Sequence, residues 1–219
     1  FCMTFGIIVS TRAFFPGSLA LTARGIVERR MAALGHDIVM IEESAVKYGA
    51  IESYDDALKC AELFKANRER IDGVVVVLPN FGDEVGVSST LALAQLNVPV
   101  LVVAADDSLD ALDLAHRRDA FCGKLSVCAN LNQNGIPFTN TTTHTLPLDS
   151  AQFDAEIDRF SRICAVVRGM RGARIGAIGT RPDPFRTTRY SEKLLQKSGI
   201  TTCVIDMSDM EANAAAYDD

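Results

Sequence analysis

No tryptophan occurs in the 219 residues, and aromatic side chains make up only 7% of them. That leaves no evident stacking platform for bases. A basic excess is also missing, since the formal net charge is −6. Nucleic-acid binders as a class carry the opposite sign, so a nucleic-acid partner is not expected. Long apolar runs are absent too: Val74–Leu78 and Val98–Ala105 are strand-sized and far short of the roughly 20 residues of a membrane span, so no membrane partner is expected. The first ten residues, FCMTFGIIVS, show no basic stretch followed by a long apolar segment, hence no visible signal peptide. Six cysteines are scattered without a CxxC pair, which fits neither a zinc site nor a dense disulfide framework. Reduced thiols in a cytoplasmic protein are the expectation. Three histidines, His36, His116 and His144, stand apart from one another, and no HxH or HExxH spacing occurs.

What is present is an ordinary globular composition, 48% hydrophobic and 23% charged. Short β-branched runs alternate with amphipathic segments. Strands are predicted at Phe5–Ser10, Asp37–Ile41, Gly73–Leu78 and Pro99–Ala104. Leu19, Ala23, Ile26, Val27, Met31 and Leu34 recur at helical spacing, with Arg24, Glu28 and Arg29 on the opposite, polar face. Further helices are predicted over Glu52–Arg68, from about Asp83 to Leu96, and over Asp107–Arg118 with Asp107 as cap. The continuous run GVVVVL suits a parallel strand covered on both faces. The alternation predicts an open parallel, Rossmann-like α/β sheet.

Asn130–Leu148 breaks this rhythm and reads as loop or irregular edge. Helical periodicity returns over Asp149–Arg168, where Asp149 and Gln152 suggest a capping box. A strand at Arg174–Ile178, a helix from about Thr188 to Lys197 and a strand at Thr201–Ile205 follow, and the chain then runs out in EANAAAYDD. Two parallel strands leave a sheet face and edge uncovered, so they either join the first sheet or begin a second domain that is cut short. The expected organisation is an N-terminal α/β domain over residues 1–148, a connecting helix over 149–171, and the truncated start of a second α/β domain over 172–219.

Loops after strand carboxyl ends are the default ligand sites of such a sheet. In STRAFFPG, Arg12 can grip a sugar hydroxyl or a phosphate, or be a surface arginine in a loop held by Phe14 and Phe15. In PNFGDEVG, the amide and carboxylates of Asn80, Asp83 and Glu84 can bind hydroxyls or a metal, and are equally at home at a helix N-terminus. RRDAFCGKLSVC brings Arg118, Asp119 and Lys124 near Cys122, without a Cys–His pair to mark a nucleophile. The glycines of 172–179 lack the GxGxxG order, and Arg181, Arg186 and Arg189 form a local basic patch. No catalytic set assembles from these residues alone.

RRDAFCGKLSVCANLNQNGIPFT and GARIGAIGTRPDPFRTTRYSEKLLQKSGI resemble the L-fucose isomerase-like family, within the fucose/arabinose isomerase group. STRAFFPG and PNFGDEVG are similar to N-terminal segments of the same family, and the resemblance runs from about Phe5 to Met207. It implies two α/β domains and a β-rich third domain, and homo-oligomers, commonly trimers or hexamers, with sites between subunits. It also implies aldose–ketose interconversion of a small sugar through an enediol, with manganese (Mn2+) holding the sugar oxygens. The physics agrees, because a metal that stabilises an enediolate lets a carboxylate serve as base. The family's Glu, Asp and His ligands come later than this chain reaches, so the resemblance supplies no catalytic residue and no metal ligand here. It does carry over to Arg12, as a residue reaching a neighbouring subunit's sugar pocket. Phe81, Arg118 and Asp119 match motif positions near strand ends, where a substrate-binding or a packing role is implied. A non-enzymatic sugar-binding module, built from two open α/β domains, is the competing reading.

Overall fold

The computed structural model describes residues 2–217, which divide into two compact units, one through Ala165 and one from Val166. In the first unit, β1 (Thr4–Val9), β2 (Asp37–Met40), β3 (Gly73–Leu78), β4 (Val100–Ala104) and β5 (Thr139–Asn140) form one sheet in the order β2-β1-β3-β4-β5. Every pairing is parallel. The expected open parallel α/β architecture is therefore present. Residues Asn130–Leu148, expected as loop or edge, supply the two-residue edge strand β5.

Alternation along the strands sends successive side chains to opposite faces. Phe5, Ile7, Val9, Val75, Val77, Leu101 and Val103 pack against α1 (Ser18–Ala33) and α5 (Ala151–Met170). Ile8, Val74, Val76, Leu78, Val100 and Val102 pack against α2 (Tyr54–Ala66), α3 (Glu84–Ala94) and α4 (Ala120–Gln133). With both faces covered, the central strands have no need of polar positions, and all six residues of β3 are buried. Phe153, Ile157, Phe160 and Cys164 on α5 belong to this core, so most of that helix lies in the first unit.

Three local expectations are corrected. Residues 107–118 are not helical; the helix lies further on, as α4. Asp107 does not cap a helix there: its Oδ1 accepts from the amides of Arg118 and Asp119 at 2.7 and 3.4 Å. Leu109, Leu112 and Leu114 remain exposed, so a helix in this stretch would have no apolar surface to dock on. Arg24 does not lie on a solvated face. It is 6% exposed, and its Nη1 donates to the carbonyls of Ile41 and Gly49, which pins the turn after β2. At the start of α5, the hydroxyl of Ser150 accepts from the Phe153 amide, while Asp149 pairs with Arg29 and Arg30 instead of capping.

The second unit contains β6 (Arg174–Ile178) and β7 (Thr201–Ile205), which pair in parallel in a sheet of their own, separate from the first. Helix α6 (Glu192–Lys197) is capped by Ser191 and starts later than the sequence spacing suggested. The final stretch, expected to run out, forms α7 (Met207–Ala215) with Asp206 as its cap.

Candidate functional site

The chain runs from β1 to β2 on one side and then to β3 on the other, so the strand order reverses between β1 and β3. In open α/β sheets ligands bind at this point, outside the carboxyl ends of the strands. The residues that follow those two ends are Ser10–Arg12 and Pro79–Asp83.

Beneath the surface they are tied by polar contacts. Asn80 is fully buried; its Nδ2 donates to Thr11 Oγ1 at 2.8 Å and its Oδ1 accepts from the Gly82 amide at 3.1 Å. Ser10 Oγ accepts from the Asp83 amide at 2.8 Å and donates to the Ile51 carbonyl at 3.0 Å. Above this layer the Arg12 guanidinium carbon lies 4.6 Å from the centroid of the Phe81 ring. Such a cation–aromatic contact is worth about 0.5–1 kcal/mol at an exposed site. Phe81 in turn stacks on Phe15 with centroids 5.8 Å apart. Among the described residues the one ion partner of Arg12 is Asp83, at 4.0 Å, and the side chain is 36% exposed. Arg12 is thus oriented by a ring and a distant carboxylate, and among the described residues no hydrogen bond takes up its N–H donors.

The third loop closes the site from α4. Gly123 meets the back of the Phe81 peptide so closely that a Cβ built on it would lie 1.8 Å from the Phe81 carbonyl oxygen. Arg118 donates to the Pro79 carbonyl at 2.9 Å. Burial lowers its pKa from the ordinary arginine value, while Asp107 and Asp106 act the other way. Asp119 adopts a left-handed backbone with φ 49° and pairs with Arg117 at 3.3 Å. Arg117 itself lies over both Phe14 and Phe15, at 5.8 Å from each ring. Of the residues singled out from the sequence, Arg12 and Phe81 are therefore in contact, Arg118 reaches the base of the same turn, and Asp119 joins indirectly through Arg117. Arg117, Thr11 and Gly123 were not anticipated. The order Asn-Phe-Gly after a strand is the signal for the turn, since asparagine bonds its own backbone two residues on. Nothing in the sequence marks Gly123 as the residue behind it. Arg118 also lines a cleft of about 400 Å³, together with Leu19, Thr22, Ile26, Asp106 and Asp107.

The chain's other reactive groups are engaged elsewhere. Lys124 is 4% exposed and donates to Thr141 Oγ1 at 2.7 Å and to the His144 carbonyl at 3.1 Å. Burial lowers its pKa, opposed by Cys128 and Glu156. Its ammonium thus serves the Thr-rich loop, and the exposed Cys122 stands apart from that bonding. Asp83 Oδ1 caps α3 by accepting from the Gly86 amide, and Glu84 accepts from the Ser126 hydroxyl. Among the described residues no two of the six cysteines are joined in a disulfide. Among the described residues, no three His, Cys, Asp or Glu side chains converge to hold a metal ion. The described residues do not fit a manganese centre.

The profile of the fucose/sulfoquinovose isomerase N-terminal domain matches residues 6–171, about three quarters of the chain. The chain belongs to this family. The match begins in β1 and ends just past α5, so it takes in all but the first few residues of the five-stranded unit and every loop of the Arg12–Phe81 crest. No curated protein matches the chain in sequence. Among the described residues no helix is long and apolar enough to cross a membrane.

Proposed function

We propose that this chain is the N-terminal portion of an aldose–ketose isomerase that acts on a small sugar through an enediol. The observation that carries the reading is the family match together with its position over the crest. The crest's part is recognition. A guanidinium held over a ring with free donors is preorganised for oxygens on adjacent carbons of a sugar, at little further ordering cost. Phe81 orients Arg12, Arg118 fixes the turn, and Asp119 holds Arg117 against the aromatic pair.

Moving the proton between C1 and C2 requires a base, and the manganese that the resemblance implies requires ligands. The acidic side chains of this crest already cap a helix, accept from a serine or pair with arginine. Those two roles therefore belong, on this reading, to segments outside these 219 residues. The exposed Phe14, Leu109, Leu112 and Leu114 are what a contact between subunits would bury, which supports a homo-oligomer.

The test is proton exchange followed by NMR in D2O, with L-fucose and sulfoquinovose as probes and Mn2+ added. The intact protein is expected to interconvert one aldose with its ketose and label C2 or C1 with deuterium. The 219-residue chain alone is expected to show no turnover. Turnover by the isolated chain would overturn the division of labour. Tight, metal-independent sugar binding without turnover by the intact protein would favour a binding module.

A further inference from the structure

We propose that Asn80 is a positioning residue: buried between the ends of β1 and β3, it sets the guanidinium of Arg12 over Phe81 and thereby the affinity for sugar. The inference rests on the reading of the crest as a sugar-binding surface and adds to it the group that holds that surface in register.

Thr11 and Asn80 each immediately precede a member of the surface pair, and their side chains are joined by the 2.8 Å bond from Asn80 Nδ2 to Thr11 Oγ1. The other end of the same amide accepts from the Gly82 amide, which fixes the peptide on the far side of Phe81. Gly82 has φ 71°, so the turn adopts a backbone that the asparagine bond and the glycine define together. Thr11 is held from below, because its amide donates to the Ile51 carbonyl at 3.1 Å. Asn80 and Thr11 are 0% and 1% exposed, so water cannot replace a lost partner. A polar pair of this kind between two strand ends is costly to bury and fixes one arrangement when fully satisfied. Two apolar residues would fill the same space without specifying where Arg12 points.

A side chain that only stabilised the fold would leave the Arg12–Phe81 geometry intact in any variant that still folds. The decisive readout is therefore the geometry itself. In protein labelled with 15N-arginine, the Arg12 side-chain Nε–Hε signal is expected to be shifted by the Phe81 ring current, and Phe81→Leu should abolish that shift and assign it. Asn80→Ala and Thr11→Val are expected to remove at least half of it, while Thr11→Ser, which keeps the hydroxyl, retains it. Should Asn80→Ala fail to fold, Thr11→Val carries the same test by deleting one hydroxyl. A full shift in folded Asn80→Ala or Thr11→Val overturns the proposal.

In the intact enzyme, Asn80→Ala is expected to raise KM for the sugar that turns over by about fivefold, the equivalent of one hydrogen bond of about 1 kcal/mol, with kcat much less affected. A raised KM in Arg12→Ala without a change in Asn80→Ala also overturns it. If instead KM is unchanged in Arg12→Ala, the reading of the crest is at fault, and the shift experiment still decides whether Asn80 holds Arg12.

Discussion

Replacing Gly123 by alanine sets two effects of opposite sign against each other. On helix propensity alone, alanine in the interior of α4 should stabilise by about 1 kcal/mol, since glycine there loses more backbone freedom on folding. The structure predicts the reverse. A Cβ at Gly123 would lie 1.8 Å from the Phe81 carbonyl oxygen and 2.4 Å from its carbonyl carbon, and both are backbone atoms with no rotamer to escape to. Reaching ordinary contact requires the helix or the turn to move by well over an ångström, and overpacking of this kind costs about 1–3 kcal/mol and occasionally more. The net expectation is a loss of up to about 2 kcal/mol after the propensity gain, a fall in Tm of up to roughly 8 °C for a domain of this size. Gly25→Ala in α1 is the control: its nearest neighbour would be Arg29 Nη1 at 3.7 Å, ordinary contact with a flexible side-chain tip. It should gain about 0.5–1 kcal/mol. Thermal melts and urea titrations of both variants measure the signs. A Gly123→Ala protein as stable as Gly25→Ala would refute the claim that α4 is seated against the Phe81 turn.

Phe160→Ala removes a side chain that is 1% exposed and stacks on Phe5 at 5.6 Å; the cavity should cost about 3–5 kcal/mol, read by denaturant titration. His36 accepts from the Met3 amide through Nδ1, and burial lowers its pKa from 6.5. The unfolded chain then binds the proton more readily, so stability should be full above about pH 6.5 and fall below it, an effect absent in His36→Asn melts. Glu156 behaves in the opposite sense. Burial works to raise its pKa, but the bonds from Thr142 and the charge of Arg159 outweigh it and hold it below 4.5. Its contribution should be present above that value and disappear as pH falls through the folded one, and Glu156→Gln should flatten that acid limb. Burial pushes the Cys60 thiol up to about 12; Ellman's reagent should modify Cys2 and Cys122 in native protein and reach Cys60 only on unfolding.

The strands were legible because their burial is uniform. Gly73–Leu78 is apolar throughout, and such a run of β-branched residues has one plausible home in an alternating chain. The stretch 107–118 misled for a physical reason: it has a cap residue, leucines and terminal basic groups, yet no apolar neighbour to pay for helix nucleation. Local pattern cannot supply that neighbour. Arg24 misled in the same way, because its partners are carbonyls on a turn that only the folded chain brings near. Arg12 was singled out by its loop and by resemblance, Phe81 by resemblance alone, and their contact joins loops 69 residues apart, a pairing no local spacing encodes. The Asn80 turn was half legible, since its bond to Gly82 is local and its bond to Thr11 is not.

The most direct test of the central claim is the sugar KM of Arg12→Ala in the intact protein, measured with whichever of L-fucose and sulfoquinovose turns over and with Mn2+ saturating. The account predicts a KM raised about tenfold or more, the loss of a charge-assisted contact of about 1.5–3 kcal/mol. A KM equal to that of the wild type would contradict it and return Arg12 to the role of a surface side chain resting on Phe81.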